Sequence, residues 1–345
     1  MLPPGYTARR ATVDDATDIF DIIAAHHTSF IGKPDATLEE VLDELVEPDW
    51  DINEDGWLVH DPAGLAVGWG WVCRKGDSAN VDIDVYPHPD HTAIGAWLWE
   101  SARERARAIA RELGHAEVTI DAGVFPNDTT VRALAEADGF AAAATFVRMR
   151  IDHNGLTPHP AAPDGVELRH ATDERVRRHA IAIRNEAFAD HFGSIPRTYE
   201  GWVAEREASS ANDWALVHVA YVEDEPAALL LRTNNFVADE NCGYVLTLGT
   251  IPKFRNRGLA SYLLRYAFAE DAAAGRVGTI LHVDTNPQRP ALGFYQRNGM
   301  RPIRTIDIYR RTLLSGGEPA SRGPGAGAAV AAGRHDLPQA SGLDV

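Results

Sequence analysis

The chain has few cysteines, few basic residues relative to acidic ones, and no long apolar run, and each shortage removes a class of reading. Two cysteines in 345 residues, Cys73 and Cys242, lie too far apart for a metal or redox motif, so a reduced, cytoplasmic setting is expected. The 33 Lys and Arg stand against 50 Asp and Glu, a formal net charge of −17. That balance argues against nucleic acid or an anionic membrane as the main partner. It tolerates a cationic amine without selecting one. No segment approaches the roughly 20 consecutive apolar residues that a membrane span needs, and Met1 to Gly5 lacks the charged and apolar regions of a secretion signal. The expectation is a soluble protein with no membrane contact, long enough for two domains of ordinary size.

A weak internal repeat organises the chain. Arg9-Arg10-Ala11-Thr12 is answered by Arg169-His170-Ala171-Thr172, and Ala137-Asp138-Gly139-Phe140 by Arg297-Asn298-Gly299-Met300 at the same spacing. Between these ends, a helical pattern from Ala96 to Leu113 takes the place of one from Ser261 to Ala274. Pro158, Pro160 and Pro163, with Gly155 and Gly165, exclude helix and central strand between the units. The expected organisation is a unit at 1–152, a linker at 153–165, a unit at 166–314 and a disordered tail at 315–345, where Gly, Ala and Pro dominate. In the second unit strands are expected at Trp214 to Tyr221, Ala227 to Phe236 and Gly243 to Ile251. Turns fall at Glu223–Pro226 and Ala238–Asn241. Each unit is read as a mixed α/β domain whose antiparallel sheet turns parallel around its long helix.

Chemistry concentrates at Arg255-Asn256-Arg257-Gly258-Leu259-Ala260, between an apolar strand and the long helix of the second unit. A helix start leaves about four N–H groups unpaired and carries roughly half a positive charge, which an anion can use. Gly258 lets the backbone approach phosphates closely, and Arg255 and Arg257 add charge. Downstream lie a strand at Thr279 to Thr285, then Asn286-Pro287, then a short helix bearing Tyr295 and ending at Gly299-Met300. The spacing Arg-x-x-Gly-x-Ala and this order of elements resemble the second half of a GNAT N-acetyltransferase domain. The chain as a whole resembles two fused GNAT acyl-CoA N-acyltransferase domains, a layout similar to that of mycothiol synthase.

The resemblance implies acetyl-CoA as acyl donor, no metal, and a small-molecule amine as acceptor. Leu248, Gly249 and Thr250 would hold the pantetheine arm by an exposed strand edge, where a glycine often marks close backbone approach. Arg255 to Ala260 would hold the pyrophosphate, and Asn286 would touch the cofactor arm. Tyr295 would be the general acid, since a tyrosine near 10 can protonate a thiolate near 8.5 within the transition state. Glu240 is the first choice of base, with Asp239, Asp284 or water as alternatives. Glu186, Asp190 and His191 fall where acceptor-facing helices are expected. A non-catalytic acyl-CoA sensor would keep the loop and need no tyrosine.

The first unit departs from this pattern. Aligned on Pro87 and Pro252, Asp90 replaces Arg255, Thr92 replaces Arg257, and Ala93 replaces Gly258. Ala135 stands where Tyr295 stands. A carboxylate ~4 Å from a phosphate charge costs about 1 kcal/mol in water and about 4 at an effective dielectric of 20. The first unit is therefore expected to be non-catalytic. His26-His27 and His88/His91 match no metal-ligand spacing and are read as ordinary histidines.

Overall fold

The computed structural model describes residues 1–46, 50–189, 194–285 and 291–316. Along the chain the elements are β1 (Thr7–Arg10), α1 (Ala16–Ile31), α2 (Leu38–Glu44), α3 (Ile52–Asp55), β2 (Gly56–His60), β3 (Ala66–Arg74), β4 (Asn80–Pro87), α4 (Gly95–Glu112), β5 (Glu117–Val124), α5 (Thr129–Ala137) and β6 (Ala141–Asp152). They continue with β7 (Val166–His170), α6 (Glu174–Ala187), α7 (Tyr199–Ala208), β8 (Val217–Val222), β9 (Glu225–Thr233), α8 (Val237–Glu240), β10 (Cys242–Thr250), α9 (Leu259–Ala273), β11 (Gly278–Asp284), α10 (Ala291–Arg297) and β12 (Arg301–Leu314). Two compact units form. One comprises residues 1–143 and 306–316, the other 144–305.

In the first unit the sheet order is β1-β2-β3-β4-β5-β12. Neighbours are antiparallel except β4 and β5, which run parallel and are joined by α4, as a parallel pair requires a crossover. Alternation along β4 directs Val81, Ile83 and Val85 to the α4 face with Leu98, Trp99 and Ala102. Tyr86 joins Trp69, Trp71 and the α1 residues Ile19, Ile22 and Ile23 on the opposite face. In the second unit the order is β6-β11-β10-β9-β8-β7. Here β10 and β11 are the parallel pair around α9, whose Leu263, Leu264, Ala267 and Phe268 are buried.

Most expected elements of the second unit are found, with shifted ends. Trp214–Leu216 forms a 3-10 turn ahead of β8. Glu223 and Asp224 adopt φ of 51° and 66°, the two-residue hairpin geometry that suits the right-handed twist of its strands. The segment expected as a turn at Ala238–Asn241 lies largely in α8, which Asn241 ends at φ 47°.

The domain boundaries differ from two consecutive units at 1–152 and 166–314. Each unit takes its last strand from the other half of the chain. β6 pairs with β11 from Gly278↔Asp152 to Asp284↔Phe146, and β12 pairs with β5 from Asp307↔Val124 to Leu314↔Glu117. Side chains explain the exchange. Val147 and Met149 of β6 complete the second core, while Tyr309 and Leu313 of β12 complete the first. Charges agree: Arg310 grips Asp121 through two bonds of 2.7 and 2.8 Å, and Arg150 reaches Glu240 at 2.7 Å. Of the expected tail, Ser315 and Gly316 are described, and the rest lies outside the described residues.

Candidate active site

The parallel ladder between β10 and β11 runs only from Cys242↔Gly278 to Val245↔Leu281. Beyond it β10 stays paired with β9 up to Thr250↔Ala228, and β11 stays paired with β6 up to Asp284. The two strands therefore separate. A register shift between Val245 and Thr247 bulges β10 at Leu246, and bulges bend strands and re-aim their groups. The edge of Leu248, Gly249 and Thr250 is thus left for another extended chain. Gly249 has no room for a side chain, since a Cβ there would come within 2.6 Å of the Phe188 ring. The buried Thr250 hydroxyl has no hydrogen-bond partner among the described residues.

The edge leads into the basic loop. Asn256 adopts φ 62°, and Gly258, at φ 77° and ψ 2°, is the N-cap of α9. No side chain caps this helix, and its first turn holds no acidic residue, so its leading N–H groups stay open to an anion. A Cβ on Gly258 would meet nothing within 4 Å, which leaves space for a phosphate. The two arginines divide the work. Arg257 is exposed, its guanidinium 5.2 Å from the Phe254 ring centre. Arg255 is half-buried and turns inward, donating from Nε to the Thr250 carbonyl at 3.3 Å and from Nη2 to the Ala187 carbonyl at 3.4 Å. It ties the loop to the end of α6. Leu259 and Ala260 are buried at the start of the helix.

The remaining sequence candidates scatter. Tyr295 is 0% exposed and shares the apolar cluster of Leu248 and Leu259. Burial, with help from the Asp284 carboxylate, pushes its hydroxyl well above the ordinary tyrosine range. Glu240 is paired with Arg150 at 2.7 Å and lies 3.8 Å from Arg148. This is a firm structural partnership for a residue expected to be the base. Asp239 and Glu186 are exposed, whereas Asp284 is buried. Asn286, Asp190 and His191 lie outside the described residues.

A polar cluster that the linear sequence hides sits at the foot of the separation. Arg148 Nε donates to His282 Nε2 at 2.9 Å, and His282 Nδ1 lies 3.1 Å from the Tyr244 hydroxyl. A guanidinium only donates, so His282 accepts at Nε2 and carries its proton on Nδ1. The Arg148 guanidinium also covers the Phe236 ring at 4.6 Å. Arg148, Arg150 and Asp152 alternate along β6, which marks one face of a strand, but nothing local says which sheet that face joins. On the same face as Tyr244, the buried Cys242 thiol is pushed up to about 11 by burial, so it stays protonated and unreactive.

The first unit repeats the separation without its equipment. The β4–β5 ladder stops at Asp82↔Asp121, and the following segment, Pro89–Ile94, is wound into a 3-10 helix that runs straight into α4. His91 N–H is spent on the His88 carbonyl at 2.8 Å, and Gly95 N–H on Thr92. Asp90 and His88 point outward or half-outward. His26 links the end of β4 to the start of α5, bonding the Pro87 carbonyl at 2.9 Å and the Asp128 carboxylate at 2.8 Å. Ala135 is buried where the second unit has Tyr295. Among the described residues no group of three or more His, Cys, Asp or Glu side chains is placed to hold a metal ion, and no helix is long and apolar enough to cross a membrane.

A parallel pair that parts at a bulge, beside an uncapped helix entered through Arg-x-x-Gly-x-Ala, is an arrangement of the GNAT fold. Residues 180–300 match the family model described as the acetyltransferase (GNAT) family, and this part of the chain is a domain of that family. A GCN5-related N-acetyltransferase from Sphaerobacter thermophilus is similar over 92% of this chain and 99% of its own, with 25% identity and a TM-score of 0.77. A tandem GNAT protein from the clavulanic acid biosynthesis pathway, solved without AcCoA, is similar in fold over 91% of this chain and all of its own, with 16% identity and a TM-score of 0.66. No curated protein sequence matches the chain significantly.

Proposed function

We propose that the second unit transfers an acetyl group from acetyl-CoA directly to a primary amine, and that the first unit binds no acyl donor. One observation carries this reading: the free edge of β10 leads into a helix start whose N–H groups nothing in the described chain uses. The residues present fit the donor. Leu248 to Thr250 would take its arm as an added strand, Asn256 to Ala260 would take its phosphates through backbone N–H groups, and Arg257 would add charge. Bound there, acetyl-CoA supplies the activated thioester.

The chain's own groups would then do three things. The edge of β10 holds the thioester still, so that the amine nitrogen attacks its carbonyl carbon while the carbon–sulfur bond breaks. Tyr295, kept protonated by burial, gives its proton to the departing sulfur. The proton lost by the amine leaves through water, because both Glu240 carboxylate oxygens face arginines, Arg150 at 2.7 Å and Arg148 at 3.8 Å. Direct transfer is favoured over a cysteine-bound acyl group because the Cys242 thiol is held protonated.

A non-catalytic acyl-CoA sensor draws on one observation, the complete burial of Tyr295. The two readings part on a single pair of proteins. Release of free CoA thiol is followed with a panel of primary amines, for the wild type and for Tyr295→Phe. Direct transfer predicts turnover that falls about 10²- to 10⁴-fold in kcat in the variant, with acetyl-CoA affinity unchanged. A sensor shows acetyl-CoA binding and no thiol release in either protein.

A further inference from the structure

Arg184 lies on the buried face of its helix. α6 turns Ala180, Ile183, Ala187 and Phe188 inward, and Arg184 sits among them, 6% exposed. A buried guanidinium is costly unless a carboxylate answers it, as Glu104 answers Arg107 and Asp271 answers Arg232. Arg184 has only neutral partners among the described residues. Its Nη1 donates to the Asn185 side-chain oxygen at 3.2 Å and to the Ile195 carbonyl at 3.0 Å. Burial, together with the neighbouring Arg197 cation, pulls it down to about 9, so it stays charged at neutral pH.

Its place is as informative as its charge. Residues four apart share one face of a helix, and one turn beyond Arg184 comes Phe188, whose ring meets Gly249 on the open edge of β10. Ala187 holds the Arg255 side chain of the phosphate loop. Arg184 is therefore one helical turn before the residue whose ring meets that edge. It is also held rigidly. Asn185 accepts from Arg197 N–H at 3.0 Å and donates to the Arg197 carbonyl at 2.9 Å, which fixes the segment that supplies the Ile195 carbonyl. With Nη1 occupied, the edge formed by Nε and Nη2 offers two parallel donors, the geometry that matches a carboxylate.

We propose that Arg184 belongs to the acceptor site and receives a carboxylate of the amine substrate, so that the substrate class is amines that carry a carboxylate, amino acids among them. This rests on the acetyltransferase reading above. The charge is retained at a cost to stability because the bound substrate answers it.

The test uses matched pairs of primary amines, β-alanine beside β-alaninamide and lysine beside lysinamide, with CoA thiol release as readout. Wild type, Arg184→Met and Arg184→Lys are compared, and their thermal midpoints are measured. The wild type is expected to favour the carboxylate member by about tenfold or more in kcat/KM, as a charge-assisted bidentate pair allows. Arg184→Met should bring that ratio close to one through KM, with kcat little changed and the midpoint no lower than wild type. Arg184→Lys should restore part of the preference. Absence of preference in the wild type, or a preference that survives Arg184→Met, overturns the proposal. So does a lower midpoint with an unchanged ratio, which marks a structural strut. If acetyl-CoA binds but no amine turns over, calorimetric binding of the same pairs replaces turnover, and equal affinity within pairs overturns the assignment. Failure to bind acetyl-CoA defeats the acetyltransferase reading instead, and the pairs still decide the role of Arg184 by binding alone.

Discussion

The exchanged last strands make a sharp prediction for a chain cut after Thr305. The cut removes the part of β12 that pairs with β5, although 306–314 lies far from residues 1–143 in sequence. Tyr309 and Leu313 leave the first core, where both are buried. At about 1.5–3 kcal/mol for each large apolar side chain, that is roughly 3–6 kcal/mol. Asp121 also loses the Arg310 fork at 2.7 and 2.8 Å. Breaking a buried pair in this way costs about 3–5 kcal/mol, softened here by Lys75, which stands 3.7 Å from Asp121. Together these losses rival the whole stability of an ordinary domain, about 5–15 kcal/mol. The first unit should therefore unfold while the second, which keeps β6, persists. Limited proteolysis with mass identification reads this directly: fragments should come from 1–143, with 144–305 protected. Arg310→Ala should destabilise the first unit in the same direction and more mildly. Loss of protection in 166–305, with 1–143 intact, would refute the exchange and restore two consecutive domains.

Two further outcomes follow from particular residues. Gly258→Ala places a side chain at φ 77°, which costs about 1–2 kcal/mol, but the new Cβ meets no protein atom within 4 Å. A modest fall in thermal midpoint is expected, with acetyl-CoA affinity weakened about tenfold or more, a loss of ~1.4 kcal/mol; unchanged affinity in a calorimetric titration would contradict the cradle. His218 is buried, and burial, with Arg232 and His170 nearby, pulls it from 6.5 down to about 3. Its folded form binds fewer protons than its unfolded form. Its contribution is therefore complete above about 6.5 and is lost on acidification toward 3, at up to ~1.4 kcal/mol per pH unit. Denaturant melts of the second unit from pH 7 to 4 should show this slope, and His218→Leu should flatten it.

What could be read in advance was local. The loop Arg255 to Ala260, its strand and its helix announce themselves because a glycine, flanking arginines and an apolar periodicity fall within a few positions. The Asp90 loop of the first unit was legible for the same reason, and its 3-10 winding shows how a loop without Gly258 spends its own N–H groups. What could not be read depended on partners distant in sequence. β6 has alternation enough to be a strand, yet its sheet is chosen by the fit of Arg148 and Arg150 to His282 and Glu240. That choice also sets Glu240 beside Arg150 in an ion pair that the linear sequence does not show. Arg255 was legible as a cation, but its inward turn depends on the end of α6. Arg184 left a trace, a charge at the spacing of Ile183 and Ala187, and only burial without a carboxylate partner gives that trace meaning.

The central claim is that one unit, the second, holds the acyl donor. Isothermal titration of acetyl-CoA into the full chain tests it most directly, with Arg257→Asp combined with Gly258→Val as the comparison, since Arg257 is exposed and no protein atom crowds Gly258. One site per chain is expected, with its loss in the double variant. Two sites, or one site that survives the double variant, would contradict it.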